Sequence, residues 1–236
     1  MSHATRQVAL ITGGSRGLGL ALAKELAGRG WRLVLNARTI EPLEAARMSL
    51  CSLTDVLTVV GDVSENATRE RLLRAVQSLG GLDLLVNNAS ILGPSPLPSL
   101  LDYPLDQLHK VLAVNAVAPL ALIQSLRDDL RSGARLINIT SDAGVEAYPR
   151  WGGYGSSKAA LEQISAVLAI EQPSWRVYMV DPGDMRTQMH QDAFPGEDIS
   201  DRPLPEESVP GLVGLIEGDF PSGRYFARNV PRRVTA

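Results

Sequence analysis

The feature of this 236-residue chain that most constrains its fold is an alternation between two hydrophobic patterns. Short apolar runs typical of buried β-strands take turns with stretches whose apolar residues have helical spacing. Because parallel strands need crossover connections, this alternation predicts an α/β fold, a doubly wound parallel sheet with helices on both faces. The predicted strands are Val8–Thr12, Arg32–Asn36, Val56–Val60, Leu82–Asn88, Arg135–Thr140 and Arg176–Asp181.

Predicted helices occupy the intervals between these strands. One is centred on Leu22, and another on Leu72 with Ser64 as its N-cap. Two longer helices are predicted from about Leu105 to Arg131 and from about Gly155 to Glu171.

The segment Asp184–Glu207 interrupts this alternation of strands and helices. It is rich in Pro, Asp and Glu, and its apolar residues have neither strand nor helix spacing. We therefore expect a single domain, residues 1–236, with one irregular insertion. A mobile lid over the substrate is one interpretation of this insertion, and a rigid surface loop held by its prolines is the other.

Composition excludes several classes of function. A net charge of −3 and a pI of about 5.7 offer no basic surface for nucleic acid. The single cysteine, Cys51, cannot form an internal disulfide and is expected to be a small buried hydrophobe. His3, His109 and His190 are widely spaced, so we expect surface histidines and no metal site. Without an evident signal peptide or an apolar run of membrane-spanning length, the chain is expected to be cytoplasmic.

The first predicted strand leads directly into the sequence TGGSRGLG, Thr12–Gly19. Gly13, Gly17 and Gly19 stand where the chain must turn tightly and let a ligand approach the backbone, and a helix begins at once. Such a strand–loop–helix entry presents free amides and the positive end of a helix to a pyrophosphate. The loop therefore predicts a nucleotide site.

Tyr154 and Lys158 are separated by four residues in the sequence YGSSK, so they share one face of a predicted helix. An ammonium beside a phenol favours the phenolate and brings the phenol closer to use as an acid or base near neutral pH. The alternative is a solvated helix surface on which the two residues are neighbours without a function.

Together these motifs resemble the classical short-chain dehydrogenase/reductase family. TGGSRGLG resembles its cofactor loop, NNAS at Asn87–Ser90 is similar to its NNAG, and YGSSK matches its YxxxK. PGDMRT at Pro182–Thr187 matches its PGxxxT, and Ser141 precedes Tyr154 by the family's usual 13 residues. The resemblance covers nearly the whole chain and implies a Rossmann-type sheet and an NADP(H)-dependent oxidoreductase acting on a carbonyl or secondary alcohol.

The resemblance also implies a set of site residues. Tyr154 is the expected general acid/base, Lys158 lowers its pKa and binds the nicotinamide ribose, Ser141 polarises the carbonyl, and Asn115 supports the proton relay through a water. A buried Asn that satisfies helix backbone is the alternative for Asn115, and a strand-end turn residue the alternative for Ser141. Besides Tyr154 and Lys158, the expected cofactor-binding residues are Gly13, Ser15, Arg16, Gly17, Leu18, Gly19, Arg38, Asp62, Val63, Asn88, Ala89, Pro182, Gly183, Met185 and Thr187.

Arg38 predicts NADP as the dinucleotide. In this architecture an NAD enzyme places an acidic residue at the end of the second strand, where it binds the ribose 2′-hydroxyl. Here the strand ends in LNART, so Arg38 stands in that region, and Arg16 lies in the glycine loop. A guanidinium group attracts a 2′-phosphate by its charge and can form two parallel hydrogen bonds to it. The alternative is that Arg16 and Arg38 are merely surface residues of an arginine-rich chain and do not bind a phosphate.

The departures from the family pattern leave open questions. Ser90 replaces the usual Gly of NNAG, and Asp142 places an acid directly after Ser141. Tyr148, Trp151, Met185 and the stretch 188–207 are expected to wall a pocket for an apolar or aromatic carbonyl compound. A homodimer through the 105–131 and 155–171 helices is a further expectation. The competing class of function is a non-catalytic NADP-binding redox sensor or regulatory protein.

Overall fold

A single seven-stranded parallel sheet organises the computed structural model, which describes residues 6–231. The strand order is β3-β2-β1-β4-β5-β6-β7, and every neighbouring pair is parallel. The strands are β1 Val8–Thr12, β2 Arg32–Ala37, β3 Val56–Val60, β4 Leu82–Asn87, β5 Leu130–Ile139, β6 Arg176–Asp181 and β7 Gly223–Phe226.

The crossover connections carry the helices on both faces of the sheet, as expected for parallel strands. The helices are α1 Gly17–Gly28, α2 Ile40–Leu50, α3 Asn66–Ser78, α4 Leu105–Leu112, α5 Ala118–Leu126, α6 Gly152–Glu171, α7 Gln188–Ala193 and α8 Val209–Glu217. Short 3₁₀ turns occur at Leu100–Asp102, Asp142–Gly144, Pro205–Glu207 and Ala227–Asn229.

Side-chain alternation along the central strand divides the core into two layers. In β1, Ala9 and Ile11 pack with the residues of α1 and α8, whereas Val8 and Leu10 pack with α3 and α5 on the opposite face. All five residues of β1 are buried, because helices cover both faces. This observation confirms the predicted doubly wound α/β fold.

The predicted strands agree closely with the structure, except that β5 begins five residues earlier, at Leu130 rather than Arg135. A seventh strand, Gly223–Phe226, was not predicted; it lies at the edge of the sheet and pairs with β6. The N-cap of α3 is Glu65, not Ser64, and the helix begins at Asn66.

The long helix predicted from Leu105 to Arg131 is shorter and is interrupted. α4 is followed by a π-helical turn, Ala113–Val117, and α5 ends at Leu126. By length and composition the stretch Leu105–Leu126 is one that could cross a membrane, so the prediction that no run reaches that length was wrong. Core helices of soluble proteins have the same properties, and Leu122 and Leu126 are buried against the sheet.

Three further predictions were wrong. Cys51 is exposed, because it lies at the solvated end of α2. His190 has a side chain that is only 10% exposed and lies beside the ring of Phe194 and the carboxylate of Asp184. The segment 184–207 is not without regular structure, since it contains α7 and the turn Pro205–Glu207. His3 lies outside the described residues.

We expect Gly211 in α8 to be required for the docking of the C-terminal strand. A Cβ atom at this position would overlap the carbonyl oxygen of Ala227, which follows β7. Gly211→Ala should therefore lower the free energy of unfolding by about 1–3 kcal/mol, the usual effect of overpacking. Denaturant unfolding of the purified protein measures this change.

The matched control is Gly28→Ala at the end of α1, where an added Cβ meets no atom within 4 Å. We expect this variant to range from neutral to about 1 kcal/mol more stable, because Ala favours helix. Equal effects of the two substitutions would contradict the packing account of α8.

Candidate active site

A cavity of about 870 Å³ runs along the edge of the sheet at which the strands end. Following the strand order, the loops after β3 and β2 form one end, and the loops after β5 and β6 form the other. Its lining includes these predicted residues: Gly13, Ser15, Arg16, Gly17, Leu18, Arg38, Asp62, Val63, Asn88, Ala89, Ser141, Tyr154, Lys158, Pro182, Gly183, Met185 and Thr187. Gly19 and Asn115 do not line the cavity.

The glycine loop between β1 and α1 is shaped to admit an anion. Gly13 and Gly17 have φ angles of +65° and +55°, in the region that favours glycine. Helix α1 begins at Gly17, and no side chain caps it at Arg16. Its first amides are therefore open to a phosphate group, and the positive end of the helix dipole points to the same place.

Gly19 acts by allowing close packing. An added Cβ would overlap the carbonyl oxygen of Gly13 and would lie 2.7 Å from Nδ2 of Asn88. That amide donates hydrogen bonds to the carbonyls of Thr12 (2.9 Å) and Gly13 (3.1 Å). The side chain of Asn88 thus fixes the glycine loop against the loop that follows β4.

Asn36, a residue not singled out in the sequence, fixes the other end of the cavity. Its buried Nδ2 donates to the carbonyls of Val59 (2.9 Å) and Gly61 (3.0 Å), and so joins the ends of β2 and β3. An amide within an otherwise apolar strand is the signal that could have identified it. Arg38 and Asp62 follow directly from these two tied strand ends.

Arg16 and Arg38 are exposed on the wall of the cavity, and across residues 6–231 neither forms an ion pair. Burial opposes ionisation of the nearby Asp62, but hydrogen bonds from the Ser64 hydroxyl and amide, with the charge of Arg38, lower the pKa of Asp62. Arg16 and Arg38 outnumber the ionised carboxylate of Asp62 beside them, which leaves this end of the cavity net positive and suited to an anion.

Tyr154 and Lys158 lie one turn apart on α6 and are both almost fully buried. The Nζ atom of Lys158 lies 5.4 Å from the centre of the Tyr154 ring and donates a 2.8 Å hydrogen bond to the carbonyl of Ile139. Burial lowers the pKa of Lys158 to about 8, because the charged form loses its hydration.

The pKa of the Tyr154 phenol is raised, opposite to the direction predicted from Lys158. Burial is the largest cause, the neighbouring Ser90 hydroxyl acts against it, and the charges of Asp181 and Asp142 add to the rise. Lys158 does not offset this rise, and its ammonium is bonded to the carbonyl of Ile139. The phenol accordingly keeps its proton at neutral pH, which suits a proton donor.

Two glycines bring Ser141 close to α6. A Cβ on Gly155 would lie 2.5 Å from the carbonyl oxygen of Ala143, and one on Gly144 would lie 3.1 Å from the backbone of Lys158. The turn that contains Ser141 therefore packs directly against the helix that carries Tyr154. The Ser141 hydroxyl donates to Asp142 Oδ1 at 2.8 Å.

The side chain of Asn115 is buried within a network between two loops. It accepts from the Ile91 amide (2.9 Å) and donates to the Ile91 carbonyl (2.9 Å) and to the Ser157 hydroxyl (3.0 Å). Ser157 in turn donates to the carbonyl of Tyr154 at 2.6 Å. The side chain of Asn115 thus bonds loop backbone at Ile91, not the helix backbone of the alternative, and it positions Tyr154 relative to the loop after β4.

Sequence reasoning also missed three groups that face or support the cavity. The hydroxyls of Ser90 and Thr140 line it; that of Ser90 lies beside the Tyr154 phenol, and that of Thr140 is buried without a hydrogen-bond partner in the described part of the chain. Arg224 on β7 donates to Asp181 Oδ2 (3.1 Å), while Asp181 Oδ1 accepts from Gly183 (2.9 Å) as a strand-end cap. The unpredicted edge strand therefore supports the loop after β6.

The end of the cavity beyond Tyr154 is apolar and aromatic. Trp151 packs edge-on against Tyr154 with ring centres 5.7 Å apart, and Phe194 lies 6.0 Å from Trp151. Met189 joins this cluster, and Tyr148 and Met185 also line the cavity. Across residues 6–231, no group of three or more His, Cys, Asp or Glu side chains is arranged to hold a metal ion.

A family model described as short chain dehydrogenase matches residues 7–198. The chain belongs to this family. One relative is the rhamnolipids biosynthesis 3-oxoacyl-(acyl-carrier-protein) reductase of Pseudomonas aeruginosa, 38% identical over 70% of this chain and 66% of the relative, slightly under two thirds of its length.

Solved structures of the family are similar over nearly the full length. A structure described as a putative short chain dehydrogenase from Pseudomonas syringae has a TM-score of 0.88 and 28% identity, over 96% of this chain and 97% of the other. An alcohol dehydrogenase from Thermococcus sibiricus, complexed with 5-hydroxy-NADP, has a TM-score of 0.84 and 28% identity, over 94% and 95% of the two chains.

Members of the short-chain dehydrogenase family use nicotinamide cofactors, and the residues of this chain fit such a group. The uncapped start of α1 and the left-handed glycines suit a pyrophosphate. The hydroxyls of Ser90 and Thr140 offer polar contacts at the other end of the cavity. The guanidinium groups of Arg16 and Arg38, which form no ion pair within residues 6–231, suit a further phosphate.

We expect the buried Lys158 to make stability depend on pH. Its pKa falls from 10.5 to about 8 on folding, so the unfolded chain binds more protons between these values and stability rises with pH there. Between pH 7 and 9.5 this group alone should add on the order of 1–2 kcal/mol to the free energy of unfolding. Above about pH 10 the raised pKa of Tyr154 acts in the opposite direction.

Urea unfolding of the cofactor-free protein at pH 7 and pH 9.5 measures this effect. Lys158→Met is the control, because it removes the titrating group and should remove the increase, while the contributions of all other groups remain. An equal pH dependence in both proteins would contradict the buried ammonium.

Proposed function

We propose that this protein is an NADP(H)-dependent oxidoreductase that interconverts a carbonyl compound and a secondary alcohol. The observation that carries the proposal is the buried Tyr154 phenol, which faces, with Lys158 and Ser141, a cavity that continues to the glycine loop. The family membership supports the reaction class, and the arginines at the far end of the cavity support the dinucleotide.

The side chains around Tyr154 supply what carbonyl reduction requires of the protein. When bound, the reduced cofactor supplies the hydride. Tyr154 then donates its proton to the oxygen on which negative charge develops, and accepts a proton in the reverse direction. The Ser141 hydroxyl donates a hydrogen bond to the same oxygen, a role comparable to that of one oxyanion-hole donor.

Lys158 assists from one turn along α6. Its ammonium stabilises the phenolate left after proton transfer. Before the transfer, burial is the main influence on the pKa of the Tyr154 phenol. In this family the corresponding lysine also binds the nicotinamide ribose, and we propose the same contact here. Trp151, Phe194 and Met189 favour an apolar or aromatic substituent on the carbonyl compound.

We expect Tyr154→Phe to retain NADPH binding and to lose turnover by several orders of magnitude. The ring continues to pack against Trp151, but the transferable proton is gone. Fluorescence titration gives the cofactor affinity, and single-turnover consumption of NADPH with a ketone gives the rate. Tyr225→Phe is the control, because its phenol bonds to Pro221 on the protein surface. A Tyr154→Phe rate above about a tenth of wild type would show that the acid is another group.

We expect Arg38→Ala to weaken NADPH binding by about 1.5–3 kcal/mol, the magnitude of hydrogen bonds to charged groups, and to leave NADH binding nearly unchanged. Arg38 is exposed, lies at the cavity wall and forms no ion pair within residues 6–231, so its guanidinium donors are open to a 2′-phosphate. Calorimetric titration with both dinucleotides measures the difference.

Arg127→Ala is the matched control, because this arginine side chain is 71% exposed and far from the cavity-lining residues. This variant should bind NADPH and NADH with the wild-type affinities. An equal loss for NADPH and NADH in Arg38→Ala, or a wild-type preference for NADH, would contradict the assignment of NADP.

We also propose that the segment 184–207 closes over bound substrate. Met185, Phe194 and Leu204 line the cavity, and the segment is held to itself by a hydrogen bond from the Arg186 amide to Pro203. Trypsin cleavage after Arg186, followed by mass spectrometry, should slow several-fold when NADP and a non-reactive ketone analogue are added. Cleavage after Arg127 should not change. Equal rates with and without ligands would favour the rigid loop.

The expected homodimer and the cytoplasmic location remain proposals. Exposed apolar side chains on the two helical stretches support a dimer: Leu105, Val117, Val167 and Ile170. Burying them against a second copy would remove apolar surface from water. Members of the family act on small molecules and commonly form oligomers.

A further inference from the structure

Asp142 holds the hydroxyl that the proposed reaction needs. The Ser141 Oγ donates to Asp142 Oδ1 at 2.8 Å, and the Ala143 amide donates to the same oxygen at 2.8 Å. A serine hydroxyl has one proton, and a bond to a carboxylate is stronger than one to a neutral carbonyl. Ser141 therefore cannot donate a hydrogen bond to a substrate carbonyl while its hydroxyl proton is engaged by the Asp142 carboxylate.

The second oxygen of Asp142 is incompletely satisfied. The Tyr148 hydroxyl lies 3.2 Å from Asp142 Oδ2 and 2.8 Å from Glu146 Oε2. These carboxylates raise the pKa of Tyr148, so its phenol keeps its proton, but a single proton can serve only one of them. In the stretch 6–231 neither Asp142 nor Glu146 belongs to an ion pair.

Two other carboxylates at this end of the cavity have cationic partners. Asp181 is bonded to Arg224, and Asp184 lies 3.8 Å from both His190 and Arg202. Asp142 lines the cavity, is exposed to it, and lies between the Ser141 hydroxyl, which is the expected carbonyl donor, and the Tyr148 hydroxyl. A cation or a hydrogen-bond donor on a bound substrate is the chemistry that fits such a carboxylate.

We propose that Asp142 is a specificity-determining residue that selects carbonyl compounds with an ammonium or hydroxyl group on the carbon next to the carbonyl. The proposal rests on the proposed function, because it assigns the substrate class of that same site. A donor on the substrate binds the open carboxylate oxygen, weakens the hold of Asp142 on the Ser141 proton, and so lets Ser141 turn to the carbonyl. A carboxylate in place of that carbon is repelled instead.

Binding to the protein–NADP complex tests the charge selection without requiring turnover. The probes are benzylamine, benzyl alcohol and benzoate, which share a ring suited to the aromatic wall and differ in charge. We expect benzylamine to bind at least tenfold more tightly than benzoate, with benzyl alcohol between them. Asp142→Asn should reduce the difference to less than threefold.

Asp128→Asn is the matched control, because it removes one negative charge from a side chain that is 87% exposed and does not line the cavity. It should preserve the wild-type difference. Equal affinities in the wild type, undetectable binding of benzylamine, or a difference that survives in Asp142→Asn would overturn the proposal.

Kinetics test the effect on Ser141 with four aryl ketones of similar size: phenacylamine, α-hydroxyacetophenone, propiophenone and phenylglyoxylate. We expect kcat/KM to fall in that order, by at least tenfold from first to third. Asp142→Asn keeps an acceptor for Ser141 but removes the charge, and should erase the preference for the amine. Asp142→Ala should also raise kcat/KM for propiophenone severalfold, because it releases the serine proton.

Unchanged ratios in both variants, or a wild-type preference for phenylglyoxylate, would overturn the proposal. If wild type and variants reduce none of the four ketones or any other carbonyl compound, the proposed function fails. The binding comparison of benzylamine with benzoate then still decides whether Asp142 selects cations.

Discussion

The buried hydrogen bond from Lys158 to the carbonyl of Ile139 is the interaction on which the rest of the site depends. It joins the middle of α6 to the last residue of β5 at 2.8 Å. Tyr154 lies one turn before this lysine, and Ser141 lies two residues beyond that carbonyl, so one bond sets the separation of both groups. A buried ammonium is tolerated only when it is hydrogen-bonded to a protein group. The lowered pKa of Lys158 reflects the hydration that its charged form loses on burial.

Asparagine amides extend this framework along the edge of the sheet. Asn36 joins the ends of β2 and β3, Asn88 joins the loop after β4 to the glycine loop, and Asn115 joins that same region to α6. Each amide satisfies backbone groups that the ends of strands leave without partners. The glycine loop and the loops after β2, β3 and β4 are therefore fixed by buried bonds, and Arg16 and Arg38 project from this part of the edge.

The sequence predicted most of this framework for a definite physical reason. Strands covered on both faces appear as continuous apolar runs, so β1 and β6 were predicted with the bounds they have, whereas β3 is a half-exposed edge strand that was predicted because its sequence VLTVV is itself a five-residue run of strand-forming residues. The four-residue strand β7 was not predicted, because it is a short edge strand with half-exposed residues. The long helix was overextended because its apolar pattern continues into the first residue of β5, and periodicity alone cannot place that boundary.

Motif spacing predicted which residues gather at the cavity, but not their electrostatics. Nothing in the spacing of Tyr154 and Lys158 indicates that both are buried, and burial reverses the expected shift of the phenol pKa. The bond between Ser141 and Asp142 was equally hidden, because neighbouring residues on a turn meet only for particular backbone angles. Such effects depend on solvent exclusion and side-chain orientation, which require the three-dimensional structure.

Transfer of deuterium from (4,4-²H₂)NADPH, which is labelled on both faces of the nicotinamide, to the carbinol carbon of the alcohol product is the measurement that tests the central claim most directly. Ketones and aldehydes with apolar or aromatic substituents are incubated with the protein and the labelled cofactor, and the alcohols are analysed by mass spectrometry. The account predicts one deuterium atom in the alcohol for each NADPH oxidised. Tight NADPH binding with no label in any alcohol would contradict it and would favour a dinucleotide-binding protein without catalysis.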